Sequence, residues 1–218
     1  MMKKEKKQDK KQEKKQDKPK KKKLSKHDSN ARTFKIVGIV CLAIIILIIA
    51  AYVYINSLRN YAYEGVEFTT VQEGKLIFYQ TSIPVLVNGN TVVPYNFYLR
   101  TVPKQLKKVD FDTLDFQLME NAVMSFEKDF NCDGDAIIAV ANLAKLHEVL
   151  GIDLIRDENA TCDSRYTYLR LQEGDKTSIE KIGENCYILN INNCEILKVT
   201  ERYMLEMFVR YNEATKNK

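Results

Sequence analysis

Four cysteines, Cys132, Cys162, Cys186 and Cys194, restrict the available chemistry more than any other residues in this chain. An even set of thiols either pairs into disulfides in an oxidising compartment or holds a soft metal. A zinc site needs tight ligand spacing, commonly two cysteines with two residues between them. The intervals here are 30, 24 and 8 residues, so disulfides are the expected use. A fifth cysteine, Cys41, lies in an apolar run and is preceded by Ile39 and Val40. Those are not the small residues that a lipid-modified cysteine needs upstream.

A second candidate is the stretch Asp129, Asn131, Asp133, in which oxygen ligands alternate and Gly134 follows. Seven residues from Asp129 to Asp135 resemble the first half of an EF-hand calcium loop, which places ligands at positions 1, 3 and 5 and turns at 6. The resemblance implies a calcium site at Asp129, Asn131 and Asp133. It stops there, because position 9 is Ile137 and position 12, where a bidentate Glu belongs, is Val140. The competing expectation is an acidic helix start, with Asp133 or Asp135 capping free amides.

Hydrolytic chemistry finds little material. His27 lies in a basic tail, and His147 lies in a helical stretch beside Glu148 without an adjacent nucleophile. The chain has no G-x-S-x-G elbow, no phosphate-binding glycine loop and no H-E-x-x-H, and no residue set implies a cofactor. Asn159-Ala160-Thr161 is a glycosylation sequon, which makes Asn159 a modification candidate.

The elements that must carry these residues follow from pattern. Lys75 to Gln80 has strand composition, and Val85 to Val87, Asn88-Gly89 and Thr91 to Val93 read as a hairpin. Pro94 predicts a fresh strand over Tyr95 to Arg100, with Tyr95, Phe97 and Leu99 on one face. The four-residue recurrence of Leu114, Leu118, Ala122, Phe126 and Phe130 would suit a helix. The Asp135 to Leu150 helix and the Ile152 to Ile155 strand that follow favour a strand at Ala122 to Phe126, which makes a βαβ unit. Three further strands are expected at Tyr166 to Leu171, Thr177 to Ile182 and Tyr187 to Ile191, and a closing helix over Glu195 to Tyr211. The fold class is α+β, with one mixed sheet and at least two packed helices. This layout places Cys132, Cys162 and Cys186 at one end of the sheet and predicts a disulfide between two of them. Cys186 and Cys194, separated by an extended strand of roughly 20 Å, cannot join directly.

All of this follows an anchor. Ile36 to Ile55 holds no charge, and thirteen of its twenty residues are Ile, Leu or Val. At about 1.5 Å per residue such a helix spans roughly 30 Å, one hydrocarbon core. A cleaved signal peptide would have a shorter apolar core and a shorter leader. Residues 1–35 carry 16 Lys or Arg against 5 acids, and the remainder 18 against 24. The positive-inside rule then keeps the tail cytoplasmic and sends the C-terminal domain across, a type II topology at the cell membrane. The expected organisation is a disordered Lys-rich tail over 1–35, a transmembrane helix over 36–55, a stalk over 56–65 and an extracytoplasmic domain over 66–214.

The tail, with its KKEKKQDKKQEKKQDK repeat, can contact anionic lipid at about 1 kcal/mol per basic residue near the surface. It interleaves no aromatic residue for base stacking, which counts against nucleic acid. The leading functional expectation is an anchored, disulfide-stabilised domain that binds or assembles with a protein partner. The alternatives are a membrane-tethered enzyme with an acidic site and a pilin-like filament subunit. The latter shares the order of basic leader, apolar helix and cysteine-bearing head, but this chain lacks an acid near the start of the apolar segment and has a long leader.

Overall fold

A computed structural model describes residues 26–87 and 91–216. The repeat of the Lys-rich tail and the Asn88-Gly89 turn lie outside them. Two compact units divide at Tyr52 and Val53, and each is taken by itself. The first is the body of helix α1 (Lys26–Arg59). Its segment Phe34–Ser57 is long and apolar enough to cross a membrane, and its apolar side chains are exposed. Helix α1 begins at Lys26, inside the stretch expected as tail.

The second unit is an α+β domain with two sheets, not one. The first is an antiparallel meander of β1 (Asn60–Tyr63), β2 (Val66–Glu73), β3 (Leu76–Val87) and β4 (Thr91–Leu99). The expected stalk is therefore the last turn of α1 followed directly by a strand. Glu64 and Gly65, both at positive φ (48° and 82°), make the two-residue turn that folds β1 onto β2. Pro94 does not start a new strand either. It lies within β4, directly opposite Pro84 of β3. Neither ring has an N–H to give, and at a non-hydrogen-bonded pair neither is asked for one.

Next come α2 (Pro103–Leu106), β5 (Asp110–Phe111), β6 (Asn121–Phe126), α3 (Asp135–Leu150), β7 (Asp153–Arg156), β8 (Thr167–Glu173), β9 (Ser178–Gly183), β10 (Cys186–Ile191) and α4 (Ile196–Lys216). The second sheet has the order β5-β9-β10-β8-β6-β7, in which β10, β8, β6 and β7 are mutually parallel. The βαβ unit of β6, α3 and β7 is present. Helix α3 buries Ala139, Leu143, Leu146 and His147, one stripe of a 3.6-residue period. Gly151 ends it at φ 73°, with its N–H and that of Ile152 returned to Glu148 and His147 carbonyls.

Helix α4 lies between the sheets. Phe208 meets Phe97 of β4 at 5.5 Å between ring centroids, and Tyr203 meets Tyr187 of β10 at 6.1 Å. A helix covered on both sides buries its polar residues too, and its two buried acids find partners. The Glu201 carboxylate accepts the N–H groups of Arg100 (2.6 Å) and Thr101 (2.9 Å). Glu206 lies between Arg202 (3.3 Å) and Arg210 (3.2 Å) in a buried ladder.

His147 gives this core a pH response. It is 1% exposed, its Nδ1–H donates to the Leu143 carbonyl at 2.8 Å, and burial holds its pKa below the usual imidazole value. The unfolded chain therefore takes up a proton before the native state does. Stability from this group is complete above about pH 6.5 and is lost as pH falls through the lowered folded value, at up to about 1.4 kcal/mol per unit. Urea melts of the protein and of His147→Gln, compared between pH 7.5 and 5.0, should show the larger acid loss in the parent. Equal losses would remove His147 as the cause.

Candidate binding site

The parallel strands set the site, because β6, β8 and β10 end together and three loops meet beyond them. There a cleft of about 680 Å³ is lined by Phe130, Glu173, Gly174, Asp175, Ile191 and the turn Asn192–Cys194. Crevices beyond the carboxyl ends of strands are where open α/β sheets take ligands. The chain passes from β10 into α4 through Asn193 and Cys194, both left-handed at φ 48° and 58°. Asn tolerates that conformation, but a Cβ-bearing cysteine pays about 1–2 kcal/mol for it. A disulfide to Cys132 in the β6–α3 loop clamps it, with Cα atoms 5.5 Å apart.

The second disulfide, Cys162–Cys186, has a Cα separation of 5.6 Å and lies at the opposite end of the sheet. This corrects the expectation that Cys132, Cys162 and Cys186 gather at one end. Strands β7 and β8 both run parallel to β6, so the connection between them must return to the amino end of β8. It carries Cys162 back to the start of β10. Gly183 makes room for it, since a Cβ there would lie 2.8 Å from the Cys162 sulfur.

The Asp129 side chain is fully exposed, with Arg156 at 3.9 Å as its charged neighbour, and Asp133 is at φ 49° in the turn before α3. Among the described residues no three His, Cys, Asp or Glu side chains group as metal ligands. Helix α3 starts at Gly134 (φ 87°) without a side-chain cap, contrary to the expected role of Asp133 or Asp135. Asp135 instead lies in the first turn and pairs with Arg100 at 3.0 Å. Asn159 is exposed in the β7–β8 loop.

The cleft lining carries Glu173 and Asp175, the amides of Asn192 and Asn193, the Phe130 ring and no cation. Lys128 already pairs with Glu173 at 2.6 Å, so the wall suits a hydroxyl-rich group. A nucleophile is poorly served: the Thr177 hydroxyl does reach Glu195 at 2.5 Å. Lys198 and that same hydroxyl hold the Glu195 carboxyl below its usual range, which makes it a weak base. His147 lies in the core and does not line the cleft. None of the lining residues except Cys194 stood out in the sequence, because strand ends become neighbours only once the sheet order is known. A second cleft of about 460 Å³ runs between β2, β3 and the last turns of α4. No family model, curated protein or solved structure matches this chain.

Proposed function

We propose that the chain is a single-pass membrane protein whose disulfide-stapled α+β domain binds or assembles with another protein outside the cytoplasm. The observation that carries this reading is α1, whose segment Phe34–Ser57 is long and apolar enough to cross a membrane and is not buried. Two disulfides support an oxidising side for the domain. The charge asymmetry across the span supports the same orientation, with the Lys-rich tail left in the cytoplasm against anionic headgroups.

Alkaline extraction of membranes should leave the full-length protein in the pellet. Protease added to intact cells should then digest the C-terminal domain and spare the tail. Release of the protein at high pH would sink the anchor, and a protected C-terminal domain would reverse the topology.

A further inference from the structure

Strand β4 is the last strand of its sheet, and its free edge opens into a groove of about 310 Å³ that α3 walls on the other side. Register decides what that edge presents. Pro84 faces Pro94, a pair with no N–H to exchange, so it is a non-hydrogen-bonded pair, and by alternation so are Ser82–Asn96 and Gln80–Tyr98. The N–H and C=O groups of Asn96 and Tyr98 therefore point away from β3. Arg100 has the same parity, and its N–H does leave the sheet, to Glu201 at 2.6 Å. Outward groups thus recur every second residue, about 6.8 Å apart, the repeat of an added strand.

The groove walls fit side chains from such a strand. Phe78, Tyr95 and Tyr98 supply aromatic surface from the sheet, and Ile138 supplies apolar surface from α3. Arg100 and Lys145 are the charged groups of the lining, which holds no carboxylate. Each has one carboxylate neighbour outside the lining, Asp135 at 3.0 Å and Glu148 at 2.8 Å, and both pairs are solvent-exposed. Exposed pairs of this kind are weak and screened, so an incoming acid competes with them readily. Pro94 ends the usable edge toward the hairpin tip, and Glu201 ends it at Arg100.

We infer that this groove takes an extended peptide segment of a partner protein, bound as a fifth strand on β4, with an apolar side chain against the aromatic wall and a carboxylate toward Arg100 or Lys145. The inference rests on reading the domain as a binding module and names how it binds.

Randomised octapeptides displayed on phage, selected against the full-length protein in nanodiscs, test it. Selected peptides should share an apolar residue alternating with Asp or Glu. Asn96→Pro deletes one outward N–H and leaves the β3 pairing intact, and should weaken binding by about 10-fold. Ser82→Ala, on β3, loses the same 2.6 Å side-chain bond to Asn96 without touching the free edge, and should bind like the parent. Lys145→Glu, on α3, takes the ammonium from the Tyr95 ring (5.3 Å) but leaves the strand backbone untouched, and should abolish the preference for acidic peptides even if the proline variant misfolds. Peptides that bind all variants equally would keep the binding module and overturn the groove. No enrichment over phage selected on empty nanodiscs would count against both. A concentration-dependent dimer dissolved by Asn96→Pro would assign the groove to a second copy instead and overturn the partner peptide.

Discussion

Glu201→Leu should lower the unfolding free energy by about 3–5 kcal/mol, while Glu201→Gln should lower it by about 1–2 kcal/mol. Glu201 is 1% exposed, and its two oxygens accept the N–H groups of Arg100 and Thr101, where the chain leaves β4 for α2. Those donors have turned away from the sheet and cannot return to it. Leucine leaves both of them beside an apolar side chain, at about 1–3 kcal/mol each, whereas glutamine keeps one acceptor oxygen. Burial raises the Glu201 pKa, and the two amides only partly oppose it. A raised folded value means that the native state holds a proton after the unfolded chain has lost it. Stability from this group is therefore complete below the unfolded value of about 4.5 and is lost as pH rises through the folded one. Glu201→Gln should flatten that part of the profile. Urea melts from pH 4 to 8 measure both effects, and a leucine variant as stable as the parent would show that the two N–H groups are answered elsewhere.

Glu201 also marks where the sequence stopped being informative. Local pattern was enough for α3, whose apolar stripe and closing Gly151 bound it at Asp135 and Leu150. The parallel partner of β6 was legible in the same way, because a strand, a helix and a strand at that spacing leave little choice. Helix α4 was legible as a helix but not as a central one. Nothing local marks its acids and arginines as buried, and only the β1–β4 sheet on that side makes Glu201, Arg202 and Glu206 so. That this meander is a separate sheet was missed for two reasons. Tyr61 and Tyr63 of β1 lie in the short stretch after the apolar helix that reads as a stalk, and Pro94 has the appearance of a boundary until Pro84 is found opposite it. The strand-end cleft was hidden for a related reason. Glu173, Asp175, Asn192 and Asn193 are ordinary turn residues, and their grouping depends on β8 lying beside β10, which nothing local encodes.

The disulfides make the strongest claim about the two ends of the second sheet, and their removal should have the other large effect. Cys132–Cys194 closes a loop of 62 residues and Cys162–Cys186 one of 24. Chain entropy gives about 4 kcal/mol for the first and about 3.5 kcal/mol for the second. The smaller loop lies inside the larger, so with Cys162–Cys186 closed the outer bond constrains less chain, and losing both should cost less than the sum. Non-reducing peptide maps should show these two linkages, and a peptide joining Cys132 to Cys162 or Cys186 would disprove the sheet topology. Gly183→Val should act like loss of the inner bond alone, because its Cβ would lie 2.8 Å from the Cys162 sulfur. The outer bond carries a further, separable effect at Cys194, held at φ 58°. With Cys132 replaced by alanine, Cys194→Gly should be more stable than Cys194→Ala by about 0.5–1 kcal/mol, since glycine accepts a left-handed backbone and alanine does not. At ordinary sites the order is reversed. An alanine variant that equals or exceeds the glycine one would mean that the turn into α4 relaxes once its clamp is gone.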